Sequence, residues 1–116
     1  MHKVAMLVSD ESQAHALRSI LLQGSFAACD LDSIENIASY MHGLDQGVLI
    51  VDLDTQGVTN KALRELKKKY SLTIIALSGK HLHPNLEESL RHYIYACLGK
   101  PADPDELLYM LRSVFT

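Results

Sequence analysis

Four short stretches of this chain set a chemically capable residue directly after an apolar run. They are "SDES" (9–12), "DLDTQG" (52–57), "SGKH" (78–81) and "GKPADPDEL" (99–107). Asp52 is the sharpest case, because it ends the run "GVLIV". A carboxylate is costly to bury unless it is paired or metal-bound. Asp10 and Asp52 together offer hard oxygen ligands of the kind Mg²⁺ accepts alongside waters and phosphate oxygens. Lys100 is a point-charge donor suited to a phosphoryl oxygen, and the Ser78 hydroxyl suits a second oxygen of the same group. A carboxylate is also a covalent nucleophile that can form an aspartyl phosphate. These are the parts of a phosphoryl-transfer site. Each residue has a plainer role beside that one. Asp10 caps a helix, Ser78 opens a loop, Lys100 is a loop lysine, and Asp52 is an acid at a strand end.

Such residues act together only if the fold brings them to one place. Five apolar runs, 3–8, 26–31, 48–51, 72–77 and 93–98, mostly lack polar alternation. That is the pattern of strands buried on both faces of a parallel sheet. Segments of helical period lie between them: Ala14, Leu17, Ile20 and Leu21; Ile34, Ile37, Ala38 and Met41; Ala62, Leu63 and Leu66; Leu86 and Leu90; and Leu107, Leu111, Val114 and Phe115. Asp103, Pro104 and Glu106 read as a cap, first residue and capping box for the last helix. Asp32 with Glu35 repeats that signal more weakly for the second. Gly24 and Gly43 suit helix C-termini. Five β-α units imply parallel strands joined by right-handed crossovers. The expected fold is α/β, a doubly wound five-stranded parallel sheet in which ligands bind beyond the carboxyl ends of the strands.

Composition narrows the classes. The chain has 116 residues, 47% hydrophobic and 22% charged, which is one globular domain. A net charge of −3 gives no electrostatic case for nucleic acid. No apolar run approaches a membrane span of about 20 residues. Cys29 and Cys97 lie on apolar segments and read as small core residues of a cytoplasmic protein. No signal peptide is visible. His81, His83 and His92 lack further ligands at zinc-site spacing. No nucleotide- or flavin-binding loop supports a small flavodoxin-like enzyme.

The arrangement resembles the receiver domain of bacterial two-component response regulators, over essentially the whole chain. The resemblance rests on Asp10, Asp52, Ser78 and Lys100-Pro101, each after its own strand. It implies a (βα)5 flavodoxin-like fold with strand order 2-1-3-4-5 and a cis Lys100–Pro101 peptide. It implies Asp52 as phosphoacceptor, with Ser78 and Lys100 on the phosphoryl group. Mg²⁺ would be held by Asp10, Asp52 and the backbone carbonyl of Asp54. The partners implied are a histidine kinase or phosphotransfer protein and an output domain C-terminal to residues 1–116. The domain would act as a signalling module and not as an enzyme in its own right.

Four features depart from the family's pattern: Thr55-Gln56 replaces a stretch that usually carries a proline before the glycine, "RHYIY" replaces a small Gly-Ala turn before the fifth strand, and the other two stand at Ser9 and Cys97. Ser9 stands where a first acid is usual, which weakens metal binding without abolishing it; Glu11 is a candidate substitute. Cys97 stands where an aromatic switch residue is usual, so the face of the fourth helix, fifth strand and fifth helix should differ in self-association or output contacts. Ser9 and Cys97 favour the alternative reading, a pseudo-receiver that binds or dimerises without phosphorylation. Asp54 and Lys80, each two residues beyond a site residue, are expected to approach each other over the crevice and tune rates.

Overall fold

A computed structural model describes residues 1–79 and 83–115. The chain alternates strand and helix throughout: β1 His2–Leu7, α1 Glu11–Gln23, β2 Phe26–Asp30, α2 Ile37–Met41, β3 Gly47–Asp52, α3 Asn60–Lys69, β4 Leu72–Ser78, α4 Glu87–His92, β5 Ala96–Gly99 and α5 Pro104–Phe115. Short 3-10 turns at Ile34–Asn36 and Pro84–Leu86 lead into α2 and α4. The strands form one sheet in the order β2-β1-β3-β4-β5, and every pairing is parallel.

Period-two alternation divides the sheet between two cores. Val48 and Ile50 of β3 pack with Leu17, Leu21, Leu107 and Leu111 of α1 and α5. Leu49 and Val51 pack on the other side with Ile37, Leu63 and Leu66 of α2 and α3. All six residues of β3 are buried, which explains its unbroken apolar reading. Asp52 continues the alternation of Val48 and Ile50, at the point where that strand emerges.

Local signals account for the helix ends. The Asp10 carboxylate accepts a hydrogen bond from the Gln13 amide at 3.1 Å and caps α1, whose other end closes at Gly24. The Thr59 hydroxyl caps α3 in the same way. Pro104 is the first residue of α5, where its missing N–H costs nothing. Gly43 takes φ +78° just after α2, a left-handed conformation that suits glycine.

Several expectations give way. The fifth strand begins at Ala96, not Tyr93, because Tyr93 and Ile94 both donate their amides to the Ser89 carbonyl and close α4. The Asp32–Glu35 capping box does not form; Ser33 opens the 3-10 turn with its hydroxyl 2.8 Å from Asn36 Oδ1. In α2, Ala38 is exposed and Tyr40 is the buried residue. In α4, Leu90 is 37% exposed while Ser89 is fully buried. Asn60 of α3 explains the exchange: its Oδ1 accepts from both the amide (3.0 Å) and the hydroxyl (2.5 Å) of Ser89. Cys97 is exposed and is not a core residue, while Cys29 is half-buried and packs against the α2–α3 core. Each lies on an edge strand, where one neighbour is missing. Desolvation by the surrounding sheet raises the Cys97 pKa, which argues against a reactive thiolate.

Candidate functional site

Strand register brings the predicted residues together. Leu7 of β1 pairs with Val51 of β3, so Asp10 and Asp52 leave the sheet at neighbouring strand ends. Asp52 pairs with Leu77 and Ser78 with Gly99. Ser78 and Lys100 therefore follow on the same rim.

Asp52 is 4% exposed, and its charge is met from two sides. Lys100 Nζ donates to Oδ1 at 3.1 Å and to Oδ2 at 3.2 Å. The Asp54 amide donates to Oδ1 at 2.9 Å. Lys100 Nζ also donates to Asp54 Oδ2 at 2.6 Å. One ammonium thus bridges two carboxylates from 46 and 48 residues away. The hydrogen bond to Asp54 leads the causes that raise the Lys100 pKa above its ordinary value, with burial acting against it and Asp52 adding to it. The peptide that carries Lys100 into this position, Lys100–Pro101, is cis.

The other residues take more open positions. Asp10 is exposed and shares a cavity of about 430 Å³ with Lys100, Gln13 and Pro101. One of its oxygens caps α1. Among the described residues the Ser78 hydroxyl has one partner, donating to the Gly79 carbonyl at 3.5 Å, a long contact. Ser9 is exposed beside Asp10. Glu11 does not take the place of an acid at position 9, because its carboxylate is 2.5 Å from the Arg18 guanidinium.

Sequence reading did not anticipate the contacts of the Asp54 carboxylate. Besides Lys100, it has His83 Nε2 at 3.4 Å from its Oδ1. Both contacts join residues far apart in the chain, and no local pattern announces them. Lys80, the expected partner of Asp54, lies outside the described residues, as do His81, Leu82 and Thr116.

The donor set suits a hard cation that keeps most of its own water. Among the described residues no three His, Cys, Asp or Glu side chains form a metal cage. The exposed Asp10 carboxylate, the buried Asp52 carboxylate behind Lys100 and the Asp54 backbone carbonyl are the groups that could hold Mg²⁺, which prefers such sparse protein ligation.

No family model matches the sequence, and no curated protein does. Solved structures match throughout. Full-length FixJ from B. japonicum is 20% identical with a TM-score of 0.81, over 98% of this chain and 57% of that one; the chain thus spans little more than half of FixJ. The receiver domain of TorR, a regulator of the TMAO respiratory system, is 15% identical with a TM-score of 0.82, over 99% and 97% of the two chains. A pilus assembly protein, CpaE, from Burkholderia thailandensis is 20% identical with a TM-score of 0.73, over 97% of each chain. At such identities the likeness shows the fold: the flavodoxin-like fold of response regulator receiver domains.

Proposed function

We propose that this chain is a receiver domain that accepts a phosphoryl group on Asp52 in the presence of Mg²⁺. The observation that carries the reading is the buried Asp52 carboxylate, aimed from a strand end and bound through both oxygens by Lys100. A receiver fold alone is compatible with other roles; this constellation gives it a specific chemistry. A phosphohistidine on a histidine kinase or phosphotransfer protein is the donor. An Asp52 carboxylate oxygen attacks phosphorus, the O–P bond forms and the P–N bond breaks. The imidazole nitrogen leaves with the electron pair. Asp10, Asp52 and the Asp54 carbonyl would hold Mg²⁺, which when bound would supply positive charge to offset that of the phosphoryl oxygens. Lys100 turns from the two acids to a phosphoryl oxygen, and Ser78 donates to another. Water later hydrolyses the acyl phosphate and resets the domain, which acts as a cytoplasmic bacterial signalling module and not as an enzyme with a substrate of its own.

The output is an attached domain or a second copy. The face of α4, β5 and α5 carries Leu90, Tyr95 and Tyr109, which are 37%, 57% and 69% exposed. Such residues suit a contact made through this face, and the exposed Cys97 belongs to it in place of an aromatic.

Intact-mass measurement after incubation with Mg²⁺ and a small phosphoramidate donor tests the proposal. One added phosphoryl group in the parent and none in Asp52→Asn is the expected result. An unmodified parent with excess metal overturns it. That outcome promotes the second reading, a pseudo-receiver acting as an interaction or dimerisation module, which the serine at position 9 and the closed Lys100–Asp54 pair favour.

A further inference from the structure

On the β1 side of the crevice lies a second group of charges that phosphoryl transfer does not use. Arg18, on α1, spans two acids. Its Nη2 is 2.5 Å from Glu11 Oε1, and its Nη1 is 3.0 Å from Asp30 Oδ2 at the end of β2. A cavity of about 300 Å³ opens beside this bridge, lined among others by Ser9, Glu11, Arg18, Asp30 and Thr55. The Thr55 hydroxyl is buried with no hydrogen-bond partner among the described residues, and Thr55 belongs to the cavity wall. Ser9 precedes Asp10 and Thr55 follows Asp54. The cavity therefore flanks the residues assigned to Mg²⁺.

We propose that Arg18 sets the divalent-cation affinity of the site. This rests on the reading of Asp10, Asp52 and the Asp54 carbonyl as metal ligands. Arg18 acts in two ways: it puts a positive charge at the rim, and it turns Glu11 away. Mg²⁺ keeps several of its waters, and those waters need acceptors. Ser9 supplies a neutral hydroxyl on this side, while the neighbouring carboxylate of Glu11 is engaged with the guanidinium. Without the guanidinium, Glu11 becomes an acceptor for metal-bound water next to Asp10. Arg18 is a positioning residue in this scheme and touches neither the metal nor the phosphoryl group.

Direct binding measures the effect without phosphorylation. The whole chain is titrated with Mn²⁺, followed by the loss of the free-ion paramagnetic resonance signal, and with Mg²⁺ in competition. Arg18→Met is expected to bind about three- to tenfold more tightly, the size expected for removing one nearby charge from a divalent ion. Arg18→Lys, which keeps the charge but loses the two-pronged grip, should fall between it and the parent. Adding Glu11→Gln to Arg18→Met should remove most of the gain, and Asp10→Asn should abolish binding in every background. Unchanged or weaker binding by a folded Arg18→Met, with a parent that binds and an Asp10→Asn that does not, overturns the role of Arg18 and leaves the metal site standing. A gain kept in full by the double variant overturns the part given to Glu11. Undiminished binding by Asp10→Asn, or no binding by either the parent or Arg18→Met, overturns the metal assignment itself and this inference with it.

Discussion

Two carboxylates at the crevice share the Lys100 ammonium, and that sharing sets the local electrostatics. Lys100 holds Asp52 and Asp54 at once, so its ammonium is already engaged by both acids. Its pKa is raised above 10.5, chiefly by the hydrogen bond to Asp54. A group with a raised folded-state pKa stabilises the fold fully below its unfolded value, and that stability is lost as pH rises through the folded value. The cluster should therefore hold across neutral pH and weaken only above about pH 10.5. Lys100→Met leaves two carboxylates side by side, one of them 4% exposed. We expect it to lose about 1–3 kcal/mol at neutral pH, less than a fully buried pair because Lys100 keeps contact with solvent. We also expect it to lack this component of alkaline destabilisation. Urea unfolding at pH 7 and above pH 10 measures both; equal alkaline losses in parent and variant would count against the bridge.

The helices differ in what sustains them. The apolar stripes of α1 and α5 bury their faces directly. Helix α2 has five residues, far too few to persist by propensity. Tyr40 secures it: its hydroxyl donates to the Lys3 carbonyl at 2.8 Å and accepts from the Val48 amide at 2.9 Å. The helix is thereby tied to β1 and β3, the two strands that lead to Asp10 and Asp52. Close packing adds to this, since a Cβ on Gly47 would meet the Met41 sulfur at 2.5 Å and Tyr40 Cε2 at 2.9 Å. Tyr40→Phe keeps the ring but strands a buried amide, which costs about 1–3 kcal/mol. Hydrogen exchange at Val48 should accelerate in step with the fall in global stability, and an unchanged Val48 rate would contradict the tie. At α4 the corresponding link is polar throughout, with Asn60 serving Ser89 and its side-chain amide donating to the Asn85 carbonyl.

At the scale of the molecule, the sheet separates two cores that draw on the same strands. Ile50 belongs to the α1–α5 core and Ile74 to the α2–α3 core, and both are fully buried. Ile→Val at either should cost about 0.5–1.5 kcal/mol. The double variant should lose the sum to within about 0.5 kcal/mol, because the side chains leave opposite faces. A larger departure in denaturant melts would mean that strain passes through the backbone between the cores. The same layering leaves the carboxyl ends of all strands on one rim, which is why the site lies there.

Much of this was legible in the sequence because it depends on local periodicity. Unbroken apolar runs separated by helical stripes imply a parallel sheet wherever the chain is read, and crossover handedness restricts its topology. Asp10, Asp52, Ser78 and Lys100 could be picked out because each directly follows such a run. Tyr93–Tyr95 misled, since an apolar run that closes a helix looks like one that opens a strand until hydrogen bonds choose. Ser89 and Tyr40 were missed because a buried polar group is marked only by its partner, and Asn60, Lys3 and Val48 lie many residues away. Only the tertiary structure decided that Asp54 faces Lys100 and that Arg18 of α1 reaches Asp30 at the end of β2. Charges separated by many positions interact through space, and no spacing rule along the chain encodes which cation a carboxylate will meet.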